Sequence, residues 1–224
     1  MDRLHRIKLL IGKEAVEKLQ QSTVMVVGCG AVGSFAIESL ARSGVGHLIL
    51  VDFDAVEESN INRQLFALDS SVGKNKVDVA KQRIVDINPD IKVEVFNMFF
   101  DERTALDIKA DFVIDAIDTV QSKIALYKWC LKNNIPFVSS MGAARKTDLT
   151  KIKIDKISKT TVCPLASKIR HIVRDLKLPD FPVVYSTENA TPQPDGGREF
   201  GSIITVTGCF GLMLSDFVIK KLIS

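Results

Sequence analysis

The chain has 224 residues, of which 46% are hydrophobic and 25% are charged. These proportions are typical of one soluble α/β domain, and they exclude a disordered, collagen-like or low-complexity chain. The net charge of +3 excludes a strongly acidic or basic protein as a whole, although the charge is unevenly distributed along the chain.

Predicted strands and helices alternate over the first 140 residues. The N-terminus up to Gln20 has a helical pattern without the apolar core of a signal peptide. Short apolar runs predict the strands, and apolar residues at helical spacing predict the helices between them. The predicted strands are 23–27, 47–51, 92–96, 112–115 and 137–140, and the predicted helices are 31–42, 74–87 and 120–132. This order predicts an α/β fold, a Rossmann-like mostly parallel sheet flanked by helices with right-handed crossovers.

The pattern weakens after residue 144. We expect one more strand around Ile152 and Ile154, a basic helix over 164–176, and a long loop over 179–201 because that stretch is rich in Pro, Gly, Ser, Thr and Asn. The apolar run 203–214 is shorter than the ~20 residues of a membrane span, so it predicts a core strand that enters a helix.

The chain is expected to form a single domain over 1–224. Its parts are a nucleotide-binding core (1–144), a basic segment with the long loop (145–201), and a closing segment (202–224) that completes a C-terminal β/α extension. None of the four cysteines forms a C-x-x-C pair, which disfavours a structural zinc site and favours a reducing, cytoplasmic compartment.

The glycine-rich sequence 28–33, Gly-Cys-Gly-Ala-Val-Gly, follows a predicted strand and opens a helix. Gly28 permits a tight turn, Gly30 lets a phosphate approach the backbone, and Gly33 allows close helix–strand packing. Asp52 lies 19 residues further on, at the end of the next strand, where a carboxylate suits ribose hydroxyls. The motif predicts a nucleotide site without separating NAD from ATP, and a glycine turn used only for packing is the alternative.

A polar loop follows Asp54, with the sequence Ser-Asn-Ile-Asn-Arg-Gln over 59–64. A dehydrogenase has no use for these residues, whereas the planar guanidinium of Arg63 can hold the charged β- and γ-phosphates of ATP. The loop therefore favours ATP, with a solvated surface arginine as the alternative.

Two more charged positions are candidates for the same pocket. A lysine at the start of the helix near residue 75 would add a positive charge, and the spacing does not choose between Lys74 and Lys76. Asp118, just after the strand 112–115, can hold Mg²⁺ on the triphosphate or cap the following helix.

These motifs, in this order, resemble those of the ubiquitin-activating-enzyme-like (ThiF-type) adenylyltransferases, and the resemblance spans nearly the whole chain. It implies ATP and Mg²⁺, with a monovalent cation as a further candidate ion. Arg63, Lys76 and Asp118 are the implied catalytic residues, with Asp118 facing the metal. The candidate nucleotide-binding residues are Gly28, Gly30, Gly33, Asp52, Asp54, Ser59, Asn60, Asn62, Arg63, Gln64, Lys76, Asp118 and Thr119.

Within this family the sequence looks like the tRNA threonylcarbamoyladenosine dehydratase branch. The segments that are similar are 115–118, 134–136, 141–144, 164–168 and 185–188 together with the glycine-containing C-terminal segment. The paired zinc-binding cysteines usual in the sulfur-carrier branch are absent. The resemblance implies ATP-dependent ring closure through an acyl-adenylate, a tRNA substrate, a homodimer in which Arg3 or Arg6 reaches the partner's ATP, and a sulfur-relay protein as a further candidate partner.

A basic segment is the last feature with a functional implication. Residues 145–177 contain ten of the 30 basic residues but only three of the 27 acidic ones. This distribution suits a polyanion such as tRNA or, alternatively, a solvated face. Three other functions stay open: activation of a sulfur-carrier protein ending in Gly-Gly, thioester or persulfide chemistry at Cys163, and nucleotide binding without chemistry.

Overall fold

A computed structural model describes residues 2–193 and 200–224. The strands are β1 (Thr23–Val27), β2 (His47–Asp52), β3 (Lys92–Asn97), β4 (Phe112–Asp115), β5 (Phe137–Ser140), β6 (Ile152–Lys156) and β7 (Pro182–Ser186). The helices are α1 (His5–Ile11), α2 (Lys13–Gln21), α3 (Gly33–Ser43), α4 (Lys76–Ile87), α5 (Val120–Lys132), α6 (Pro164–Asp175) and α7 (Ile204–Ile223).

The strands form one seven-stranded sheet in the order β3-β2-β1-β4-β5-β7-β6. Every neighbouring pair is parallel except the antiparallel pair β6–β7. The predicted α/β fold with a mostly parallel sheet is therefore confirmed. Strands β2 and β3 lie on one side of β1, and β4 and the later strands lie on the other side. The strand order therefore reverses between β1 and β4, and such sheets bind ligands at the carboxyl ends of the strands at this topological switch point.

Helices cover both faces of the sheet. The core on one face is formed with α2, α3, α4 and α7, and the core on the other face is formed with α5 and α6. No helix among the described residues combines the length and the apolar character that crossing a bilayer requires.

The predicted loop over 179–201 is wrong in its first part, because β7 lies within it. Four of the five β7 residues are buried, and the strand sits inside the sheet between β5 and β6. Pro182 is the first strand residue, where a missing N–H is tolerated, so the proline-rich composition concealed a real strand. The rest of this prediction, residues 194–199, falls outside the described residues.

The predicted strand at the start of 203–214 is also wrong. Residues 204–223 form the single helix α7, which packs along α3. Gly208 and Gly211 allow this approach, since a Cβ on Gly211 would lie 2.3 Å from the carbonyl oxygen of Val32. The glycines that interrupted the apolar run are thus helix-packing positions.

Candidate active site

A cavity of about 1060 Å³ opens at the carboxyl ends of the parallel strands. Its walls are the loops that follow β1, β2, β3, β4 and β5, together with the start of α7. Every candidate nucleotide-binding residue except Gly33 lines it: Gly28, Gly30, Asp52, Asp54, Ser59, Asn60, Asn62, Arg63, Gln64, Lys76, Asp118 and Thr119.

The three glycines of the turn have different surroundings. Gly28 has a φ of +96°, and a Cβ there would lie 2.6 Å from the carbonyl oxygen of Ala116. A Cβ on Gly33 would lie 1.7 Å from the carbonyl oxygen of Gly28, so Gly33 serves packing and does not face the cavity. Gly30, in contrast, has only the end of the Gln64 side chain at 3.8 Å, which leaves its backbone open to a ligand.

Asp52 connects the glycine turn to the end of β2. Its Oδ2 accepts a hydrogen bond of 2.6 Å from the N–H of Cys29, and its Oδ1 accepts one of 2.9 Å from the N–H of Asp54. Burial raises the pKa of Asp52, although these two hydrogen bonds act in the opposite direction. The carboxylate is thus fixed at the cavity wall, in the position expected for binding ribose hydroxyls.

The structure places Lys76, and not Lys74, in the cavity. Lys74 is exposed and does not line it, whereas the Lys76 side chain is largely buried, with its Nζ 2.7 Å from Oδ2 of Asp54. The N–H of Lys76 also donates to the carbonyl oxygen of Asp54, over 3.0 Å. The first turn of α4 therefore holds an ammonium group over the loop that follows β2.

Arg63 is held by its own loop. Its Nη1 donates to the carbonyl oxygen of Ser59 over 2.6 Å and to Oδ1 of Asn62 over 2.8 Å. The amide of Asn62 in turn donates to the carbonyl oxygen of Ser202, over 3.3 Å, just before α7. These bonds present the guanidinium at the cavity wall and attach the polar loop to the C-terminal helix.

Asp118 is exposed in the cavity wall after β4. The alternative that it caps the next helix is wrong, because Thr119 occupies the N-cap position of α5. The described residues contain no group of three or more His, Cys, Asp or Glu side chains that could bind a metal. A single carboxylate nevertheless fits Mg²⁺ bound mainly through nucleotide phosphates and water.

Sequence reasoning missed two features of this site. Phe53 and Phe99 form an exposed edge-to-face pair at the cavity, with ring centroids 4.9 Å apart. The second feature is a fully buried ion pair between Lys123 and Asp115 beneath the cavity. A lysine inside an otherwise apolar stripe of α5 was the signal for it.

The basic segment divides into internal and solvent-facing residues. Arg145, Lys146 and Arg170 donate to carbonyl oxygens within the fold. The exposed basic residues are Lys151, Lys153, Lys156, Lys159, Lys168, Arg174 and Lys177. Cys163 is buried next to Gly142 and does not line the cavity.

Comparisons with known proteins identify the family of this chain. A model of the ThiF family matches residues 2–224. The chain belongs to the ThiF family. A tRNA threonylcarbamoyladenosine dehydratase of Bacillus subtilis is 54% identical over 172 residues, which are 75% of this chain and 68% of that protein. The one from Escherichia coli is 34% identical over 248 residues, covering 96% of this chain and 91% of that protein.

The fold of this ThiF-family chain also matches a solved structure of the Escherichia coli dehydratase in complex with ATP. The TM-score is 0.92 at 35% identity, with 98% of this chain and 93% of that chain covered. The resemblance to the dehydratase branch that the sequence indicated is confirmed by these relatives.

Proposed function

We propose that this chain is an ATP-dependent tRNA threonylcarbamoyladenosine dehydratase that closes the threonylcarbamoyl side chain into a ring. One observation supports this function above all others. Twelve residues selected from the sequence for ATP chemistry converge on one cavity, in a fold that matches an ATP-bound dehydratase.

The reaction has two steps, activation of a carboxylate and ring closure. The carboxylate of the threonylcarbamoyl group attacks the α-phosphorus of ATP, pyrophosphate leaves, and an acyl-adenylate forms. The carbamoyl group then attacks the activated carbonyl carbon, its N–H proton is released to solvent, and AMP leaves with the former carboxylate oxygen. The net change in the nucleoside is the loss of one water.

The protein contributes positioning and charge stabilisation to these steps. Asp52 is placed to accept from the ribose, and the open backbone at Gly30 with the N-terminus of α3 suits the phosphates. Lys76 and Arg63 neutralise negative charge that develops on the phosphates. Mg²⁺, when bound by Asp118 and phosphate oxygens, would neutralise further charge there; a monovalent cation stays a prediction.

The tRNA is proposed to approach along α6. This helix begins at the cavity, where Leu165 is part of the wall, and its exposed side presents Lys168, His171 and Arg174. Lys168 and Arg174 are about 9 Å apart along the helix axis, at 1.5 Å per residue. Such a basic stripe leading away from a reactive cavity suits the phosphates next to the modified adenosine.

The remaining partners are proposed from the resemblance. In a homodimer, Arg6 is the better candidate to reach the partner's ATP, because Arg3 already donates to the carbonyl oxygen of Ile87 over 3.1 Å. A sulfur-relay protein stays a candidate partner. The tRNA substrate and the four free cysteines favour a cytoplasmic location.

The decisive experiment incubates the protein with ATP, Mg²⁺ and threonylcarbamoylated tRNA and weighs the modified nucleoside. We expect a loss of 18 mass units, the mass of one water, and release of AMP and pyrophosphate. Pyrophosphate exchange stimulated by a Gly-Gly-terminated carrier protein, and not by tRNA, would instead show sulfur-carrier activation. ATP binding without AMP release with either acceptor would indicate a binding module.

A further inference from the structure

A buried ammonium group lies directly beneath the cavity. Lys123, on the first turns of α5, has a fully buried side chain whose Nζ donates to Oδ2 of Asp115 over 2.8 Å and to the carbonyl oxygen of Ser140 over 2.7 Å. A third, longer contact of 3.4 Å reaches the hydroxyl of Ser139. The lysine therefore connects the end of β4 to the end of β5.

Asp115 is equally buried and fully engaged. Its Oδ1 accepts the N–H of Ile117 over 3.0 Å. Its Oδ2 accepts from the hydroxyls of Tyr127 over 2.9 Å and Ser139 over 2.5 Å. Burial raises the pKa of Tyr127 well above its usual value, so the phenol keeps its proton and can donate it in the hydrogen bond to Asp115.

The network connects two walls of the cavity. Residues 116–119, which follow Asp115, include Asp118 and Thr119, and all four line the cavity. Residues 140–144, which begin with the last residue of β5, line it from the other side. Asp115 fixes the first wall through Ile117, Lys123 holds the second through Ser140, and their ion pair joins the two.

Stability alone does not account for this arrangement. A buried ion pair loses so much hydration that replacing it with apolar residues is often neutral or stabilising. Among the ion pairs of the described residues, this is the one in which both side chains are completely buried. Its location suggests a geometric role, because misplacing reacting groups by about 1 Å can cost about 10²-fold in rate.

We propose that Lys123 and Asp115 are positioning residues that hold the Asp118 loop at a fixed separation from residues 140–144, so that the substrate carboxylate meets the α-phosphate in line. The proposal rests on the proposed function for its reaction, and on the contacts above for its geometry. It assigns a role to two residues that do not line the cavity.

The test compares Lys123→Met, Lys123→Gln and the neutral double variant Asp115→Asn/Lys123→Met with the wild type. Lys128→Met is the matched control, because Lys128 is on the same helix but pairs with the exposed Glu102. The measurements are the melting temperature, kcat and the KM for ATP in the dehydration assay. Hydrogen exchange of residues 116–119 and 140–144 is measured in the protein without ATP.

We expect the double variant to melt within a few degrees of the wild type, yet to have a kcat at least tenfold lower with the KM for ATP changed less than threefold. Lys123→Gln, which keeps a donor, should retain more kcat than Lys123→Met. The amides of both walls should exchange faster in the double variant, while those of α3 and α4 keep their rates.

A double variant whose melting temperature and kcat both match those of the wild type would show that the pair only stabilises the fold. That result would overturn the proposal. Unchanged exchange in both walls would overturn it as well. The exchange result does not depend on catalysis, so it stands even if the wild type fails to dehydrate tRNA. In that case the proposed function fails while the cross-link between the two walls is still tested.

Discussion

Lys76 and Asp54 form an ion pair in the wall of the cavity, with 2.7 Å between Nζ and Oδ2. The lysine side chain is 9% exposed and that of the aspartate 45% exposed, so the two groups meet at the boundary between protein and cavity. Asp54 thereby keeps the ammonium group oriented in the absence of nucleotide, which lowers the entropic cost of placing it on a phosphate.

Replacing Lys76 or Arg63 with alanine is expected to lower turnover by about 10²-fold or more, the scale of losing one electrostatic stabiliser of a transition state. Lys74→Ala is the matched control, because this lysine is two residues away but exposed and outside the cavity. Surface substitutions away from such features usually change free energies by no more than about 0.5 kcal/mol. The turnover of the Lys74→Ala variant should therefore stay within about twofold of the wild type. The measurement is AMP release with modified tRNA at saturating ATP. Near-normal turnover in both Lys76→Ala and Arg63→Ala would contradict the proposed roles.

The glycine turn allows packing and ligand binding to be separated. Gly30→Ala places its Cβ 3.8 Å from the Gln64 side chain, an ordinary contact, so the variant should fold with a melting temperature close to that of the wild type. Its methyl group would occupy the space where a phosphate approaches the backbone. We expect ATP affinity, measured by calorimetry, to fall at least tenfold.

Gly33→Ala should have the opposite signature. Its Cβ would lie 1.7 Å from the carbonyl oxygen of Gly28, so α3 or the turn has to move, and we expect a loss of several degrees in melting temperature or failure to fold. Equal melting temperatures for the two variants would mean that the turn is less tightly packed than the structure shows. Unchanged ATP affinity in Gly30→Ala would remove the glycine turn from the nucleotide site.

The sequence predicted the elements whose hydrophobic pattern matches the burial of their residues in the fold. Strands such as 112–115 are short, mostly apolar runs with every residue buried, and helix 120–132 begins after Thr119 and ends before Asn133, as its pattern predicts. Strand β7 was missed because Pro182 and the polar residues after Ser186 dominate the local composition, whereas the burial of 183–186 depends on neighbours distant in sequence.

The candidate site was predictable for a similar reason. The spacing of Gly30, Asp52 and Arg63 reflects loops that all leave the same edge of a parallel sheet, so a one-dimensional motif maps onto one cavity. The choice between Lys74 and Lys76 depends on where α4 begins, and the structure shows that Lys76 is its first residue and lines the cavity. The Lys123–Asp115 pair was missed because the apolar stripe of α5 indicates that Lys123 is buried but does not identify the group that its ammonium contacts.

Glu38 gives a pH-dependent contribution to stability that is separate from the cavity. It accepts from Arg42 on α3 and from Arg83 on α4, at distances of 2.6–3.0 Å. Burial acts to raise the pKa of Glu38, but the hydrogen bonds from both arginines outweigh it and hold the pKa below its ordinary value.

A carboxyl group with a lowered folded-state pKa stabilises the protein above its unfolded pKa, and this stabilisation is lost as the pH falls through the folded pKa. Glu38→Gln should therefore lower stability at pH 7 by up to about 1 kcal/mol, because the pair is partly solvated. The difference from wild type, measured by urea unfolding, should shrink towards zero below pH 4, about the ordinary glutamate pKa. A difference as large at pH 3 as at pH 7 would show that packing of the side chain, and not its charge, is responsible.

The basic stripe on α6 leads to a prediction that depends on salt. Lys168→Ala/Arg174→Ala removes two exposed charges, of which Arg174 is paired with the exposed Asp175 over 3.1 Å. The change should weaken binding of modified tRNA several-fold at 0.1 M salt without changing the affinity for ATP. The slope of log K against log salt should become less steep by about 1 for each phosphate that the protein no longer neutralises. A matched control is Lys81→Ala/Lys109→Ala, which removes the same charge from exposed sites outside the cavity walls, one on α4 and the other just before β4. Equal effects of the two double variants would mean that net charge and not the α6 surface governs binding, and the RNA would then have to approach from another side of the cavity.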